Sequence, residues 1–404
     1  MQRGHVPWNV TVCPSCRMTS PPSPLPPMPT LLAILHIVGC VLLAAVFFAP
    51  AGVPTLVHLL KGIVREYSLA MLLPALLTAL VAVWISHVDV WRWLRWGTAA
   101  CALLVGILAV WPAASAWRMA RAADTPLRLR EYFRPLVGAR PLPSHTVRFA
   151  VVEGHDLHAD VFLPDASATR ARPAVLYFHG GGWRGGERGY ARAWADFLTA
   201  RGYALISFDY RLFPPATGLK APGDVKCGIR WVKDHAATYG IDPDRLVLFG
   251  ESAGGHLASL AGYTEGDARL PSSCAPGDTS VAAIISFYAP SDLVAYAASA
   301  PAPLVGFTGV PQEGHRELYE LLSPINHVGP RSPPTLLLHG GADSVVPLDA
   351  SQAMAARLAQ AGVPHTLFTL PYAEHGFDIW DGGFGRQLAR AQVGRFLQQH
   401  APVN

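Results

Sequence analysis

Charged residues are scarce in this sequence. Only 15% of its 404 residues are Asp, Glu, Lys or Arg, whereas about a quarter is usual for a soluble globular protein. Hydrophobic residues make up 51%, and the net charge is only +4. A chain this apolar is not disordered throughout, and one this weakly basic is not expected to bind nucleic acid. The composition indicates a membrane portion.

Cysteine is scarce as well. The six cysteines are too few and too scattered to form the disulfide scaffold of a chain this long. Cys13 and Cys16 stand close together but lack the second pair of ligands that a zinc site needs. The sixteen histidines show no metal-ligand spacing either. The sequence therefore predicts no metal site and no cofactor.

Three long apolar runs lie in the first third of the chain, at residues 31–49, 68–86 and 97–116, each without one charged residue. As helices they reach about 28 to 30 Å, the thickness of the hydrocarbon core of a bilayer. Six of the eleven tryptophans lie at or near the ends of the second and third runs, as at a membrane interface. Buried helices of a soluble domain are the alternative, but these usually carry a polar face. We predict a three-helix transmembrane region over residues 31–117, in a multi-pass protein whose partners include membrane lipids.

The flanks of this region differ in character. Residues 1–30 form a Pro-rich tail that is predicted to be disordered, with Met18 and Met28 as alternative starts. Residues 118–144 form a basic linker, in which six arginines are opposed only by Asp124 and Glu131. Such a flank favours the cytoplasmic side for the domain that follows, although large domains are translocated largely regardless of flanking charge. The arginines could instead lie on anionic headgroups.

From residue 145 to 404 short apolar runs alternate with amphipathic stretches. A hairpin turns at residues 154–156, and six further strands are predicted near residues 174–179, 204–209, 246–249, 281–288, 335–339 and 366–370. Helical patterns separate most of them. Near-continuous apolar strands that alternate with helices indicate a mostly parallel sheet covered on both faces, so the predicted fold class is α/β.

Ser252 is the candidate nucleophile of this domain. It lies in Gly-Glu-Ser-Ala-Gly between a strand and a helix, where small neighbours permit the sharp turn that projects a nucleophile. A serine hydroxyl needs a base and a group that orients the base, and His375 and Asp343 fit these roles. Both follow later strands, so all three are predicted to meet at the carboxyl edge of the sheet.

Other acids compete with Asp343 for the orienting role. Asp349 lies toward a helix start and could cap it, whereas Glu374 is too near His375 in one loop to orient it from behind. Asp378 is a third acid in this region. Asp343 remains the predicted member of the site.

A glycine-rich segment, His-Gly-Gly-Gly-Trp at residues 179–183, ends the strand near residues 174–179. Acyl transfer needs N–H donors for a developing oxyanion, and the backbone amides of Gly181, Gly182 and Ala253 are the candidates. A phosphate-binding loop is the alternative, but the Gly-Lys-Ser/Thr ending and the nucleotide-binding spacings are missing.

Together, residues 179–183, Asp-Tyr-Arg-Leu at 209–212, residues 250–255 and residues 374–377 resemble the α/β-hydrolase superfamily. More narrowly, the chain is similar to hormone-sensitive-lipase-like carboxylesterases. The resemblance implies an α/β-hydrolase fold and a serine esterase that cleaves small or medium acyl esters through an acyl-serine. A serine peptidase or amidase on the same fold, and a non-catalytic hydrolase-like receptor, are the alternatives.

Two further expectations concern the catalytic domain. Residues 291–334 form the one sizeable insertion, which either shapes the acyl pocket or serves only packing. Cys227 begins a predicted helix at the active-site edge, while Cys274 lies in a loop that returns from the opposite edge. Because a 16-residue helix spans about 24 Å, we predict that both cysteines are free.

Overall fold

A computed structural model describes residues 28–50, 55–88, 90–134, 141–164 and 170–403. Residues 1–27, with Cys13, Cys16 and most of the predicted tail, lie outside the described residues, as does Arg140 in the predicted linker. The N-terminal helices are α1 (Met28–Phe47), α2 (Thr55–Glu66), α3 (Leu72–Ser86, after a 3₁₀ turn at Ser68–Met71), α4 (Arg92–Ala122) and the short α5 (Leu129–Tyr132).

Three helical segments in this region are long and apolar enough to cross a membrane, at Met28–Phe47, Ser68–Ser86 and Arg92–Ala122. They coincide with the three apolar runs of the sequence. Helix α4 is 31 residues long and continues past residue 117, where the transmembrane region is expected to end. The division of the chain at residues 117 and 144 stays a prediction.

The C-terminal part of α4 packs into the domain that follows. Ala113, Ala116 and Ala120 are buried in the same hydrophobic cluster as Phe384 and Tyr132. Alanine allows this close approach because its side chain ends at Cβ. The third apolar helix and the α/β domain therefore share a core.

The rest of the chain forms an eight-stranded sheet with the strand order β1-β2-β4-β3-β5-β6-β7-β8. The pairs β1–β2 and β2–β4 are antiparallel, and every other pair is parallel. The prediction of an α/β-hydrolase fold with a mostly parallel sheet is confirmed. The strands are β1 (His145–Val152), β2 (His155–Phe162), β3 (Arg172–Phe178), β4 (Ala204–Phe208), β5 (Ile241–Glu251), β6 (Ala283–Phe287), β7 (Thr335–Gly340) and β8 (His365–Leu370).

Helices cover both faces of the sheet. They are α6 (Arg192–Thr199), α7 (Ala221–Asp234), α8 (Ala236–Tyr239), α9 (Ala253–Tyr263), α10 (Leu293–Tyr296), α11 (Pro301–Thr308), α12 (Arg316–Leu321), α13 (Asp349–Gln360) and α14 (Gly385–His400). Side chains of β3 alternate between the faces: Leu176 and Phe178 pack with α7 and α9, whereas Val175 and Tyr177 pack with α6 and α14. Because both faces of the sheet are covered there, the inner strands β4, β6 and β7 are fully buried and largely apolar. Each large side chain buried in this way contributes about 1.5–3 kcal/mol to folding.

Cys227 and Cys274 form a disulfide, so the prediction that both are free is wrong. Cys227 lies in the middle of α7, and the loop between α9 and β6 returns across this helix with Ser273 N donating to Gly223 O at 3.0 Å. A Cβ atom on Gly223 would lie only 2.7 Å from Pro271 O, so glycine permits the approach. The sequence separation of 47 residues corresponds to about 4 kcal/mol of stabilisation through the loss of chain entropy.

Candidate active site

Ser252 occupies a sharp turn between β5 and α9. Its backbone has φ 53° and ψ −118°, a conformation that residues other than glycine rarely adopt. A Cβ atom on Gly250 would collide with the carbonyl of Gly254, and one on Gly254 would collide with the carbonyl of Phe178. The small residues around Ser252 are therefore required by the turn itself, which projects the hydroxyl away from the sheet.

The structure brings the three predicted side chains together. His375 Nε2 lies 3.0 Å from Ser252 Oγ, and His375 Nδ1 lies 2.7 Å from Asp343 Oδ2. Ser252 follows β5, Asp343 follows β7 and His375 follows β8, so all three stand at the carboxyl ends of parallel strands. The serine hydroxyl can donate to Nε2 while the Nδ1–H donates to the carboxylate.

The carboxylate of Asp343 is completely buried and well supplied with donors. Oδ1 accepts hydrogen bonds from the backbone N–H groups of Val345 and Val346, at 2.8 and 2.9 Å. Oδ2 faces His375 and also lies 3.3 Å from Nε2 of the buried His339. Burial alone would raise the pKa of Asp343, but the charge of His375 and the hydrogen bonds from both histidines outweigh it and hold the pKa well below its ordinary value. Asp343 is therefore ionised.

The glycine segment lies against the serine turn. A Cβ atom on Gly180 would be 3.4 Å from that of Ser252, and Gly181 and Gly182 adopt φ values of 124° and 60° that favour glycine. Tyr210 OH donates to His179 O at 2.8 Å and fixes the start of the segment. In the described part of the chain, the amides of Gly181, Gly182 and Ala253 donate to no other protein group. They are available to a substrate oxygen.

The competing acids have other partners. Glu374 Oε1 accepts from Ser344 N, Ser344 Oγ and His375 N, at 2.5, 2.9 and 3.2 Å, and does not face the imidazole. Asp349 is the first residue of α13. Asp378 Oδ1 accepts from Tyr288 OH at 2.6 Å. None of the three takes the place of Asp343 beside His375 Nδ1.

A buried polar cluster behind the serine turn escapes sequence reasoning. Glu251 precedes Ser252 and accepts from the indole N–H of Trp194 at 3.1 Å. Burial raises the pKa of Glu251 well above its ordinary value, and the neighbouring Asp378 raises it further. The ring of Tyr288 lies 4.5 Å from that of His375. The one sequence signal for this cluster is Glu251 itself, because a carboxyl at the end of an apolar strand needs buried polar partners.

The insertion at residues 291–334 contributes to the hydrophobic core. Phe307 of α11 stacks on Trp183, with ring centroids 4.7 Å apart. The indole N–H of Trp183 donates to His256 Nδ1 at 3.2 Å, and His256 Nε2 lies 2.8 Å from Leu322 O. Burial lowers the pKa of His256 to about 4, so this ring is neutral. The insertion thus fixes Trp183 at the end of the glycine segment.

Within the residues that the structure describes, no group of three or more His, Cys, Asp or Glu side chains is arranged to hold a metal ion. The arrangement that is present suits nucleophilic catalysis, because a hydroxyl, an imidazole and a carboxylate are in hydrogen-bonding contact beside free N–H donors.

Several known proteins with similar sequences or structures are esterases. A family model described as BD-FAE matches residues 159–358. The probable carboxylic ester hydrolase LipM of Mycobacterium tuberculosis is 33% identical over 254 residues, which are 61% of this chain and 59% of LipM, so the chain spans less than two thirds of that relative. Esterase LipC of the same organism is 32% identical over 277 residues, 66% of this chain and 68% of LipC.

A solved structure leads to the same group. Esterase 2 of Thermogutta terrifontis with bound propionate superimposes with a TM-score of 0.56 at 26% identity, covering 69% of this chain and 98% of that one. The fold and the sequence motifs agree with this likeness. The chain belongs to the α/β-hydrolase family of carboxylic ester hydrolases.

Proposed function

We propose that this chain hydrolyses carboxylic esters of small or medium acyl groups through an acyl-enzyme on Ser252. The observation that carries the proposal is the continuous contact from Ser252 Oγ through the His375 ring to Asp343 Oδ2. The esterase relatives support the reaction class, and the propionate-bound form of the Thermogutta enzyme supports a short acyl group.

In the first half of the reaction, Ser252 Oγ attacks the ester carbonyl carbon while His375 Nε2 accepts the hydroxyl proton. Asp343 stabilises the imidazolium that forms and keeps its Nδ1–H directed inward. The carbonyl oxygen becomes an oxyanion that accepts from the N–H groups of Gly181, Gly182 and Ala253; one such donor is worth about 2.7–4 kcal/mol of barrier. The C–O bond then breaks, and His375 gives its proton to the departing alcohol.

Water completes the cycle in the second half. His375 removes a proton from a water molecule as the water oxygen attacks the acyl carbon. The resulting oxyanion accepts hydrogen bonds from the same three N–H groups. When the C–O bond to Ser252 breaks, His375 returns the proton to Oγ. The products are a carboxylic acid and an alcohol, and no cofactor is consumed.

We further propose that α1, the segment Ser68–Ser86 and α4 anchor the chain in a bilayer. Their length and composition support this, and many of their leucines and valines are exposed in the structure. A site held near the surface in this way favours an ester that is lipid-derived or concentrated at the bilayer.

The serine mechanism is tested with Ser252→Ala in the full-length chain, purified in detergent. We expect loss of para-nitrophenyl butyrate hydrolysis and of covalent labelling by a fluorophosphonate, because the nucleophile is gone. Ser299→Ala, which alters an exposed serine, is the matched control and should keep both activities. Hydrolysis by Ser252→Ala at the wild-type rate would contradict the proposal.

A further inference from the structure

Helix α2, which lies between the first two apolar segments, has its polar and apolar faces reversed relative to a helix on a soluble protein. Its charged residues Lys61, Arg65 and Glu66 are all less than 10% exposed. Its leucines 56, 59 and 60 are between 41% and 67% exposed. A charged side chain is rarely buried without a partner, so the buried face of α2 must be matched by groups on the domain that it covers.

Lys61 is matched by Glu374. Lys61 Nζ lies 2.6 Å from Glu374 Oε2, and the side chains are 4% and 1% exposed. The other oxygen, Oε1, accepts from Ser344 N, Ser344 Oγ and His375 N. Glu374 therefore joins the residue after Asp343 to the backbone of His375, and Lys61 supplies the charge that compensates the buried carboxylate.

The neighbours of Lys61 on α2 attach to the same part of the domain. Arg65 donates to Phe47 O at 2.8 Å and to Tyr372 O at 3.4 Å. Glu66 Oε2 accepts from Gly385 N at 3.0 Å, and Tyr67 OH accepts from Gly382 N at 2.8 Å. Phe47 is the last residue of α1, whereas Tyr372, Gly382 and Gly385 lie on both sides of His375 in the chain.

His58 adds a contact on the acid loop. Its Nδ1 lies 3.2 Å from Ser344 Oγ, the same hydroxyl that donates to Glu374. A Cβ atom on Gly62 would lie 3.6 Å from the indole Nε1 of Trp380, so the loop after His375 lies close to the backbone of α2. Both loops that carry the partners of Ser252 are thus held from outside the α/β domain.

We infer that α2 is a positioning element of the active site and that Lys61 is a positioning residue, which acts through Glu374 to hold the loops of His375 and Asp343 in register. This inference rests on the proposed serine mechanism. Without Lys61, Glu374 becomes an uncompensated charge in a buried place, and the loops must shift to let water reach it. A displacement of about 1 Å in reacting groups can reduce a rate about 100-fold.

The test uses four variants of the full-length chain in detergent: Lys61→Met, Lys61→Arg, the double variant Lys61→Met with Glu374→Gln, and Lys233→Met. The last is the matched control, since it breaks the 2.6 Å ion pair between Lys233 on α7 and Asp278 in the loop before β6. For each variant, kcat and KM for para-nitrophenyl butyrate, the rate of fluorophosphonate labelling and the thermal midpoint are measured.

We expect Lys61→Met to lower kcat about 10- to 100-fold with KM changed less than about threefold. Lys61→Arg should recover most of the activity because it restores the charge. The double variant should recover at least about fivefold over Lys61→Met, since the neutral amide of Glu374→Gln can keep accepting from Ser344 and His375 without a buried charge. If Lys61 only stabilises the fold, Lys61→Met should have a lower thermal midpoint. Ester hydrolysis and fluorophosphonate labelling should then fall by the same factor, so that kcat per labelled serine is unchanged.

The outcomes separate the two proposals. If the wild type neither hydrolyses the ester nor labels, the serine mechanism fails. If the wild type is active and Lys61→Met has the same kcat per labelled serine as Lys233→Met, the positioning role is wrong and the serine mechanism stands. The same holds if the double variant is no better than Lys61→Met.

Discussion

The carboxylate of Asp343 combines two tasks at the scale of a single residue. Two backbone N–H groups hold Oδ1, which fixes the carboxylate plane, while Oδ2 is left for His375 and His339. His339 is held in turn by Ser351 Oγ, 2.7 Å from its Nδ1. The orientation of His375 therefore depends on a chain of buried hydrogen bonds as well as on the carboxylate charge.

Asp343→Asn keeps the shape of this side chain and removes its charge. We expect kcat for para-nitrophenyl butyrate to fall about 10³- to 10⁴-fold, because the amide no longer stabilises the imidazolium and can impose the wrong histidine tautomer. Asp349→Asn, at the start of α13, should stay within about threefold of the wild type. A kcat for Asp343→Asn within tenfold of the wild type would refute the orienting role.

The sequence carried strong local signals for Ser252, Asp343 and His375, because each follows a recognisable strand within a short motif. Lys61 carried none. Its partner lies in the distant C-terminal third of the chain, and a lysine that follows two leucines and precedes a glycine has the pattern of an ordinary exposed residue. From the sequence, Glu374 is rejected as the acid that orients His375. Its role in joining two loops depends on contacts that no sequence spacing reveals.

At the scale of elements, α2 and α14 are linked by one carboxyl. Glu66 accepts from the N–H of Gly385 at the first turn of α14, a contact between residues 319 positions apart. Burial raises the pKa of Glu66 to about 8, against the opposing effect of the Gly385 hydrogen bond. A protonated carboxyl at this place avoids a buried charge, and it can still accept the hydrogen bond.

This raised pKa predicts a pH-dependent stability. The folded state holds the proton of Glu66 more tightly than the unfolded chain, so its contribution is complete below the unfolded pKa near 4.5 and is lost as the pH rises toward about 8. One group can account for at most about 1.4 kcal/mol per pH unit. Glu66→Gln cannot ionise, so its thermal midpoint should fall less than that of the wild type between pH 5.5 and 8.5.

Tryptophan fluorescence during heating in detergent measures the midpoints. Glu320→Gln is the control, since Glu320 is a half-exposed partner of Arg316 on α12 and should keep the wild-type slope. Parallel pH dependence in wild type and Glu66→Gln would show that Glu66 does not hold a proton in the folded state.

Secondary structure was predictable wherever one local pattern dominated. The strands near residues 204–209 and 335–339 were found because uninterrupted apolar runs mark a sheet buried on both faces. Helix α2 was missed because Lys61, Arg65 and Glu66 interrupt its apolar residues and its buried face is the charged one. The predicted path of the loop that carries Cys274 is wrong because this path depends on the packing of the loop across α7, which local sequence patterns do not specify.

At the scale of the whole molecule, if the proposed anchor spans a bilayer, two features make opposite predictions about the side on which the α/β domain lies. The arginines after the third apolar run favour a cytoplasmic domain. The Cys227–Cys274 disulfide favours an oxidising compartment, where such bonds persist. Since large domains are translocated largely regardless of flanking charge, we give the disulfide more weight and expect the α/β domain on the extracytoplasmic side.

Membrane vesicles of known orientation test this expectation. A protease added to right-side-out vesicles should digest the α/β domain, whereas inside-out vesicles should protect it until detergent is added. Thiol alkylation before and after reduction, on the same samples, reports whether Cys227 and Cys274 are paired. Protection in right-side-out vesicles together with free thiols would instead support the cytoplasmic side.

The alanines of α4 that lie in the core of the α/β domain have a consequence for the modularity of this protein. In many membrane-anchored enzymes a flexible linker joins the anchor to the catalytic domain, so the anchor can be exchanged. Here an unrelated anchor would leave a gap beside Phe384 and remove the partners of Glu374 and Gly385. Replacing these helices would therefore damage the catalytic domain itself. A variant directed to another membrane has to keep the N-terminal helices together with the α/β domain.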